Sequence, residues 1–411
     1  MKWETAILSD ISTNIQTGPF GSQLHQSDYS IEGTPVVMPK DLVNGHISET
    51  TIARVSDAHI ERLSRHKIEI GDILYSRRGD VGRCAFATEK EAGWLCGTGC
   101  LRVSTDASKA NPKFVFYQLQ KPDTIGWVEK HAVGATMLNL NTSILSRVPI
   151  EIPSLNTQNR IVDILSAYDN LIETNQKQLE LLEEAAQRLY KEWFVDLRFP
   201  GHETTPVVDR MPEGWIYKSL FDVFSYVRGK SYTSKELSDT TGILMANLKN
   251  IRSFGGYNRN AEKRFTGQYK TNQMLSGGDV IMGVTDMTQE RRLVGHVALV
   301  PDMGEKMIFS MDLIKITPKL TDSLFLYSAL HYGGLSKQIS PLANGVNILH
   351  LKPEAMMGIK MLVPSAGILE QYHHQFSPII ARIEFLEKQC DIVAEARDRL
   401  LPKLMSGEIE V

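Results

Sequence analysis

The 411-residue chain has little that would mark it as an enzyme. It contains no G-x-G-x-x-G fingerprint, no phosphate-binding P-loop and no metal-binding His-x-x-x-His pair. Gly97-Thr98-Gly99 lacks the third glycine of a cofactor loop, and Asn111-Pro112-Lys113-Phe114 lacks the second proline of the amino-methyltransferase tetrad, Asn-Pro-Pro-aromatic. These absences predict a chain that performs no catalysis by itself and holds no cofactor or metal of its own.

Cysteines and long apolar runs are also scarce. Cys84, Cys96, Cys100 and Cys390 do not recur at matching positions in the two halves of the chain, so they predict neither a disulfide framework nor a zinc site. No apolar run approaches the roughly 18 residues that cross a membrane. The first residues lack the apolar stretch of a signal peptide. We therefore expect a reduced, cytoplasmic protein that does not enter a membrane.

The net charge of −3 is small and unevenly distributed. Residues 157–196 carry eight acidic and four basic side chains, and residues 368–411 carry eight and five. The rest of the chain is therefore mildly basic. That division is compatible with nucleic-acid contact by the basic segments while the two acidic segments are held away from the duplex.

The two halves of the sequence repeat one another at an offset of about 211 residues. The run Gly71-Asp72-Ile73-Leu74 reappears as Gly278-Asp279-Val280-Ile281, and Gly18 corresponds to Gly229. Further pairs are Gly134 with Gly345, and Asn139 with His350. A duplicated chain predicts two similar sites on two similar frames.

Short apolar strands and helix patterns in each half predict a mixed α/β (α+β) fold with an internal pseudo-two-fold repeat. Each half ends in a long helix, and a segment rich in Pro and Gly joins the halves. We expect two globular domains connected by two long antiparallel coiled-coil helices. The predicted divisions are a first domain at 1–153, a first helix at 154–198, a linker at 199–214, a second domain at 215–366 and a second helix at 367–411.

Both helices carry an apolar seam with alternating four- and three-residue spacing, as in coiled coils. The apolar positions are Ile161, Leu165, Tyr168, Ile172, Leu179, Leu182, Leu189 and Trp193, and then Tyr372, Phe376, Ile379, Ile383, Leu386, Val393, Leu400 and Leu404. An antiparallel pairing places Asn175 near Cys390, and Tyr168 against Arg397 in a cation–π contact. The alternative is that each helix is simply amphipathic and buried.

Polar loops between the strands supply candidate DNA contacts, because guanidinium and amide groups suit phosphates and base edges. In the first half these are Ser22, Gln23, Lys40, Arg77, Arg78, Arg83 and Thr136. In the second half they are Arg228, Lys230, Asn247, Lys249, Arg291, Arg292 and Asn347. A matched frame with different loop side chains predicts domains that read different sequences, whereas the alternative is ordinary solvated turns.

The chain resembles the DNA-specificity subunits of type I restriction–modification systems over its whole length. The order and doubling of several strings carry the resemblance: Gly18-Pro19-Phe20-Gly21-Ser22, Gly71-Asp72-Ile73-Leu74, Gly134-Ala135-Thr136, Ile152-Pro153 before Gln158, Leu189-Tyr190-Lys191-Glu192-Trp193-Phe194, and Met211-Pro212-Glu213-Gly214-Trp215. The second half departs at Asn344-Gly345-Val346-Asn347, where Val stands in place of the expected Thr. A role for the Thr136 hydroxyl is therefore not shared by both halves.

The resemblance implies a non-catalytic subunit that binds double-stranded DNA at a bipartite target, one half-site per domain. It implies two modification subunits that hold S-adenosylmethionine and methylate adenine, and ATP- and Mg-dependent restriction–translocase subunits. The helices would fix the spacer between half-sites and dock the modification subunits. Two alternatives are a protein–protein scaffold without DNA binding and a stand-alone methyltransferase or nuclease.

Overall fold

The structure is a computed structural model that describes residues 3–134 and 137–411. These residues form two compact units. Unit 1 contains residues 3–174 together with Cys390–Val411, and unit 2 contains Asn175–Gln389. Each unit therefore combines one globular half of the sequence with a part of both long helices.

Unit 1 contains two four-stranded sheets and two two-stranded ladders. The first sheet is antiparallel, in the order β2-β11-β8-β9. The second has the order β10-β4-β7-β3, in which β10 and β4 are parallel. One ladder pairs β1 with β12, and the other pairs β5 with β6. The strands are β1 (Glu4–Ile7), β2 (Ser12–Thr17), β3 (Tyr29–Ser30), β4 (Thr34–Val37), β5 (Leu42–Val43), β6 (His46–Ile47), β7 (Ala53–Val55), β8 (Ile73–Ser76), β9 (Cys84–Phe86), β10 (Leu95–Cys96), β11 (Cys100–Thr105) and β12 (Pro149–Ile152).

Unit 2 repeats the antiparallel sheet and the mixed sheet, and its mixed sheet has five strands instead of four. Its antiparallel sheet is β16-β25-β21-β23, its mixed sheet is β17-β19-β18-β24-β20, and β15 pairs with β27. The strands are β13 (Val207–Val208), β14 (Met211–Pro212), β15 (Ile216–Ser219), β16 (Phe224–Arg228), β17 (Leu237–Ser238), β18 (Ile243–Ala246), β19 (Lys263–Phe265), β20 (Met274–Leu275), β21 (Val280–Gly283), β22 (Thr285–Asp286), β23 (Val297–Leu299), β24 (Met307–Phe309), β25 (Leu313–Pro318), β26 (Leu349–His350) and β27 (Lys360–Val363). The mixed α/β class and the internal repeat are confirmed.

The two long helices of the sequence prediction are α5 and α10, and α5 continues into a π-helical turn at Lys191–Val195. All the predicted seam positions are buried or half-buried, and none is exposed. The helices are α1 (Asp57–Arg62), α2 (Pro112–Leu119), α3 (Pro122–His131), α4 (Thr142–Leu145), α5 (Leu155–Tyr190), α6 (Leu220–Val223), α7 (Ser323–His331), α8 (Leu335–Ile339), α9 (Pro353–Met356) and α10 (Ala366–Met405).

Segments of both long helices contact each other inside each unit. In unit 1, Arg397 donates from Nη1 to Asp169 Oδ1 at 2.9 Å. The predicted cation–π partner of Arg397 was therefore wrong, because the carboxylate next to Tyr168 takes the guanidinium instead. In unit 2, buried Asn175 donates to Gln389 Oε1 at 3.0 Å, one residue from the predicted neighbour Cys390.

Both long helices also enter the cores of the globular halves. In unit 1, Ile161 and Leu165 pack with Leu404 and with apolar side chains of the sheet and of α2. In unit 2, an aromatic cluster joins Trp193 and Phe194 to Tyr372, with ring centroids 5.7 and 4.9 Å from the tyrosine. Burial of this area fixes each domain on its helix segments, at roughly 25 cal/mol for each Å² of apolar surface removed from water.

Burial also explains the first three cysteines. Cys84, Cys96 and Cys100 lie in the core of unit 1 without a disulfide. Burial raises the pKa of the Cys84 and Cys96 thiols to about 12, so that they stay protonated and unreactive. Within the described residues, no helix is both long and apolar enough to cross a membrane.

Candidate nucleic-acid interface

In unit 1 several loops meet at one end of the antiparallel sheet. Strand β2 ends and β11 begins there, so Gly18 N donates to Cys100 O at 2.9 Å. Strand β8 ends at the same edge, where Arg77 N donates to Gly99 O at 2.9 Å and Arg77 O accepts from Leu140 N at 2.8 Å. We call residues 18–23, 77–80, 97–99 and 137–140 the first loop surface.

Unit 2 builds the same frame with other side chains. Gly229 N donates to Leu313 O at 3.2 Å, and Val284 N donates to Asp312 O at 2.9 Å. Leu351 N donates to Val284 O at 2.8 Å, which makes Val284 the structural counterpart of Arg77. We call residues 229–231, 284–294, 310–312 and 345–351 the second loop surface.

Glycines make both frames possible. At Gly18 and Gly229 a Cβ would overlap a carbonyl oxygen of the neighbouring strand connection. Gly134 and Gly345 have φ of 131° and 154°, and a Cβ there would overlap the carbonyl oxygen three residues later. Side chains other than hydrogen are therefore excluded at equivalent points of the two halves, which confirms these two pairs of the repeat.

Arg77 and Arg78 occupy the centre of the first loop surface. The Arg77 guanidinium lies 5.8 Å from the centroid of the exposed Phe20 ring, and its buried Nε has no hydrogen-bond partner among the described residues. Burial, followed by the charge of Arg78, lowers the pKa of Arg77. Arg78 is exposed, and no ion pair of its guanidinium is found within residues 3–134 and 137–411. Both side chains can therefore meet an anionic ligand, because neither guanidinium forms an ion pair with a carboxylate of the part of the chain that the structure describes.

Other candidates of unit 1 are held within the protein. Arg83 donates from Nε and Nη2 to Asp80 Oδ2 at 3.2 and 3.0 Å. Lys40 donates to Thr51 O at 2.7 Å, and Gln23 Oε1 accepts from Phe20 N at 3.1 Å. Ser22 is exposed on the loop, whereas Thr136 lies outside the described residues. These contacts favour a local structural role for Arg83, Lys40 and Gln23.

The second loop surface is organised by a buried carboxylate that sequence reasoning missed. Asp286 accepts hydrogen bonds from Thr288 N at 2.7 Å, Leu293 N at 2.6 Å and Val294 N at 3.1 Å. Burial raises the pKa of Asp286, but these hydrogen bonds outweigh it and hold the pKa below its usual value. The loop that Asp286 closes carries Arg291, half-buried with φ of 54°, and exposed Arg292, which lies 3.7 Å from Glu290.

The remaining candidates of unit 2 differ in availability. Arg228 lies 3.4 Å from Glu354, and Lys230 Nζ lies 6.0 Å from the centroid of the Phe265 ring. Lys249 and Asn347 are exposed. Asn247 is buried, and its amide nitrogen donates to Ala261 O at 2.5 Å and to an asparagine three residues later. We therefore leave Asn247 out of the candidate surface, because the turn that it caps uses its polar atoms.

Residues at the two loop surfaces also pair across equivalent ladders. Arg78 pairs with Asn139 in unit 1, and Thr285 pairs with His350 in unit 2. The counterparts of Arg78 and Asn139 are thus Thr285 and His350. In the sequence, Thr285 could be located because the Gly-Asp pair and the strand after it recur in the second half, although the residues after that strand differ between the halves. No cluster of His, Cys, Asp or Glu suited to a metal is found in the described part of the chain.

Comparison with known proteins places this arrangement in a family. The protein-family model described as the type I restriction modification DNA specificity domain matches residues 1–184 and 212–392. The type I restriction enzyme MjaIX specificity subunit of Methanocaldococcus jannaschii is 25% identical over 402 residues, which cover 92% of this chain and 87% of that protein. The type I restriction enzyme HindI specificity subunit of Haemophilus influenzae is 23% identical over 476 residues, with 99% of each chain covered.

A solved structure has a similar fold. The S subunit of a type I restriction–modification system from M. genitalium superimposes with a TM-score of 0.63 at 16% identity, over 98% of this chain and 96% of that one. The family model matches nearly all of both halves. This chain therefore belongs to the family of type I restriction–modification DNA specificity proteins.

Proposed function

We propose that this chain is the non-catalytic DNA-recognition subunit of a type I restriction–modification complex. Each domain reads one half of a bipartite target in double-stranded DNA. The two matches to the specificity-domain model support this proposal, because each covers one half of the repeat. The curated relatives that are named specificity subunits support it also.

The observation that carries the proposal is the pair of loop surfaces. Their backbone hydrogen bonds are equivalent, yet Arg77 and Arg78 in unit 1 are replaced by Val284 and Thr285 in unit 2. A common frame positions the backbone in the same way, while side chains on loops decide which base edges are contacted. A shared backbone with different loop side chains is what we expect of two duplicated domains that recognise different DNA sequences.

We also propose that α5 and α10 form an antiparallel coiled coil that sets the separation of the half-sites. The contacts of Arg397 with Asp169 in unit 1, and of Asn175 with Gln389 in unit 2, favour this pairing. A buried asparagine in such a seam specifies register at a cost in stability. The recognition domains in this proposal are 1–153 and 215–366, with helices at 154–198 and 367–411 and the linker at 199–214.

The catalytic steps belong to partner subunits in this proposal. Two modification subunits dock on the helix faces outside the seam and bring S-adenosylmethionine, and restriction–translocase subunits bring ATP and Mg²⁺. The complex acts in the cytoplasm, where the chromosome is its substrate. The chain's own contribution is to hold the partners over a specific DNA sequence.

A domain exchange tests the proposal. Residues 1–153 are replaced by the first domain of another specificity subunit, and the methylated sequence is mapped in cells that carry the modification subunits. One half-site should change and the other should remain. A simultaneous change of both half-sites contradicts independent readers. Absence of salt-dependent, sequence-specific DNA binding by the assembled complex favours a protein scaffold instead.

A further inference from the structure

The second loop surface exposes apolar side chains at adjacent positions. Met287 is 75% exposed, Val346 is 87% exposed and Ile348 is 44% exposed. Thr285–Asp286 pairs with Leu349–His350, so that Met287 and Ile348 each lie one residue beyond the same end of this short ladder. Gln289 Nε2 donates to Val346 O at 3.1 Å and links the two loops. Single exposed apolar residues are common on protein surfaces, but a cluster of three exposes a continuous apolar patch to water and often marks a binding site.

The backbone holds these side chains outward. Four hydrogen bonds to the Asp286 carboxylate, including one from Thr288 Oγ1 at 2.8 Å, fix the loop that begins with Met287. On the other loop, Gly345 permits a close approach to the carbonyl of Ile348 that any Cβ would prevent. The apolar cluster is therefore preorganised for a ligand, because little backbone freedom remains to be lost on binding.

The groups around the cluster identify the ligand. Exposed Asn347 lies between Val346 and Ile348, and exposed Arg292 follows on the loop that Asp286 closes. Cationic and amide groups suit phosphates and base edges, while an apolar cluster among them requires an apolar feature in the same ligand. The thymine 5-methyl group is the apolar feature that the major groove displays.

The first loop surface repeats the pattern. Met137 is 63% exposed and lies three residues after Gly134, as Ile348 lies three residues after Gly345. Val133, also exposed, forms a bridge to Asn139 as Asn344 does to His350. Arg78, whose guanidinium has no ion pair within the described residues, forms the backbone bridge to Asn139 beside this turn. An exposed apolar side chain three residues after the glycine is thus present in both halves, although the surrounding sequence differs.

We propose that Met287 and Val346 form an apolar contact with the 5-methyl group of a thymine in the half-site read by the second domain. The inference rests on the proposed function, since it assigns a specificity-determining role within the same DNA contact. The methyl group fills the space between the two side chains, and its removal leaves both partly hydrated. Cytosine at that position lacks the methyl group and is rejected in the same way.

The test uses the complete complex with its modification subunits and duplexes that carry the mapped target. Each thymine of the second half-site is replaced in turn by deoxyuridine, which removes only the 5-methyl group. One replacement should weaken binding by about three- to five-fold, the effect of one buried methyl group. The Met287→Ala, Val346→Ser double variant should bind the thymine duplex more weakly and lose its sensitivity to that replacement.

Leu320→Ala is the matched control, because Leu320 is also exposed and apolar but follows the opposite end of strand β25. Its thymine preference should remain that of the unaltered chain. Equal binding of all thymine and deoxyuridine duplexes by the unaltered complex overturns the inference but leaves the proposed function in place. A double variant that retains the full deoxyuridine effect and loses a modification subunit overturns it in favour of a protein contact. Failure of the unaltered complex to prefer any DNA sequence refutes the proposed function itself.

Discussion

Substitution of Asp169 by alanine should weaken the attachment of both long helices to the first domain. The Asp169 side chain is 11% exposed and accepts a hydrogen bond from Tyr117 Oη at 2.5 Å and one from Arg397 Nη1 at 2.9 Å. Lys113 Nζ lies 3.9 Å away and contacts three aromatic rings. One carboxylate thus connects α2 of the domain with both α5 and α10.

The magnitude depends on the groups that remain after the substitution. Removal of one partner from a buried ion pair costs about 3–5 kcal/mol, because the other charge stays buried. Arg397 is one-quarter exposed and retains Asp398 at 2.8 Å, which reduces that cost. We therefore expect a loss of about 2–3 kcal/mol in the free energy of unfolding of unit 1. Asp169→Asn keeps an acceptor for Tyr117 and should lose about 1–2 kcal/mol.

Urea unfolding, monitored by circular dichroism, measures these differences. The comparison requires that the slope of unfolding free energy against urea concentration is the same for each variant. Asp398→Ala is the matched control. It removes the other carboxylate on Arg397, but that side chain is 65% exposed, so its effect should be about 0–0.5 kcal/mol. The reasoning is refuted when Asp169→Ala costs no more than Asp398→Ala, because the buried contact would then contribute nothing beyond an exposed pair.

Three further predictions follow from the structure. Arg78→Ala should weaken DNA binding of the complex by about 1–3 kcal/mol if Arg78 reads a base, or flatten the salt dependence by about one unit if it binds a phosphate. Arg83→Ala should change DNA binding less, because Asp80 already binds the Arg83 guanidinium. Equal effects of the two substitutions would contradict the assignment of Arg78 as a DNA contact. Burial lowers the pKa of His331 from 6.5 to about 4, so the unfolded chain gains a proton that the folded chain excludes. The stability of unit 2 should therefore fall by up to about 3 kcal/mol from pH 6.5 to 4, and urea midpoints of His331→Gln should lack most of this dependence. The purified chain alone should transfer no labelled methyl group to DNA until modification subunits are added, and robust incorporation without them would show a catalytic site in this chain.

Regular features of the fold were predictable because they repeat locally. The strand around Ile73 and its counterpart around Val280 followed from short apolar runs after a Gly-Asp pair. The buried seam of α5 followed from helical periodicity, which depends on neighbours three and four residues away. Candidate DNA contacts were less predictable. Asn247 and Arg228 have the residue types of contact residues, but within the fold one caps a turn and the other pairs with Glu354.

The sequence by itself determined that the chain is a doubled frame with two long amphipathic helices and loops that differ between the halves. Those properties follow from the helical periodicity of apolar residues and from glycines that recur where the backbone leaves no room for a Cβ. Tertiary structure alone decided which polar side chains of the loops remain free to contact a ligand. Arg397 joins Asp169 rather than Tyr168, Asp286 closes the loop that carries Arg291, and the Arg78 guanidinium has no ion pair within the described residues. These outcomes depend on electrostatic and hydrogen-bond partners that lie far apart in sequence, and only folding brings them within a few ångströms of each other.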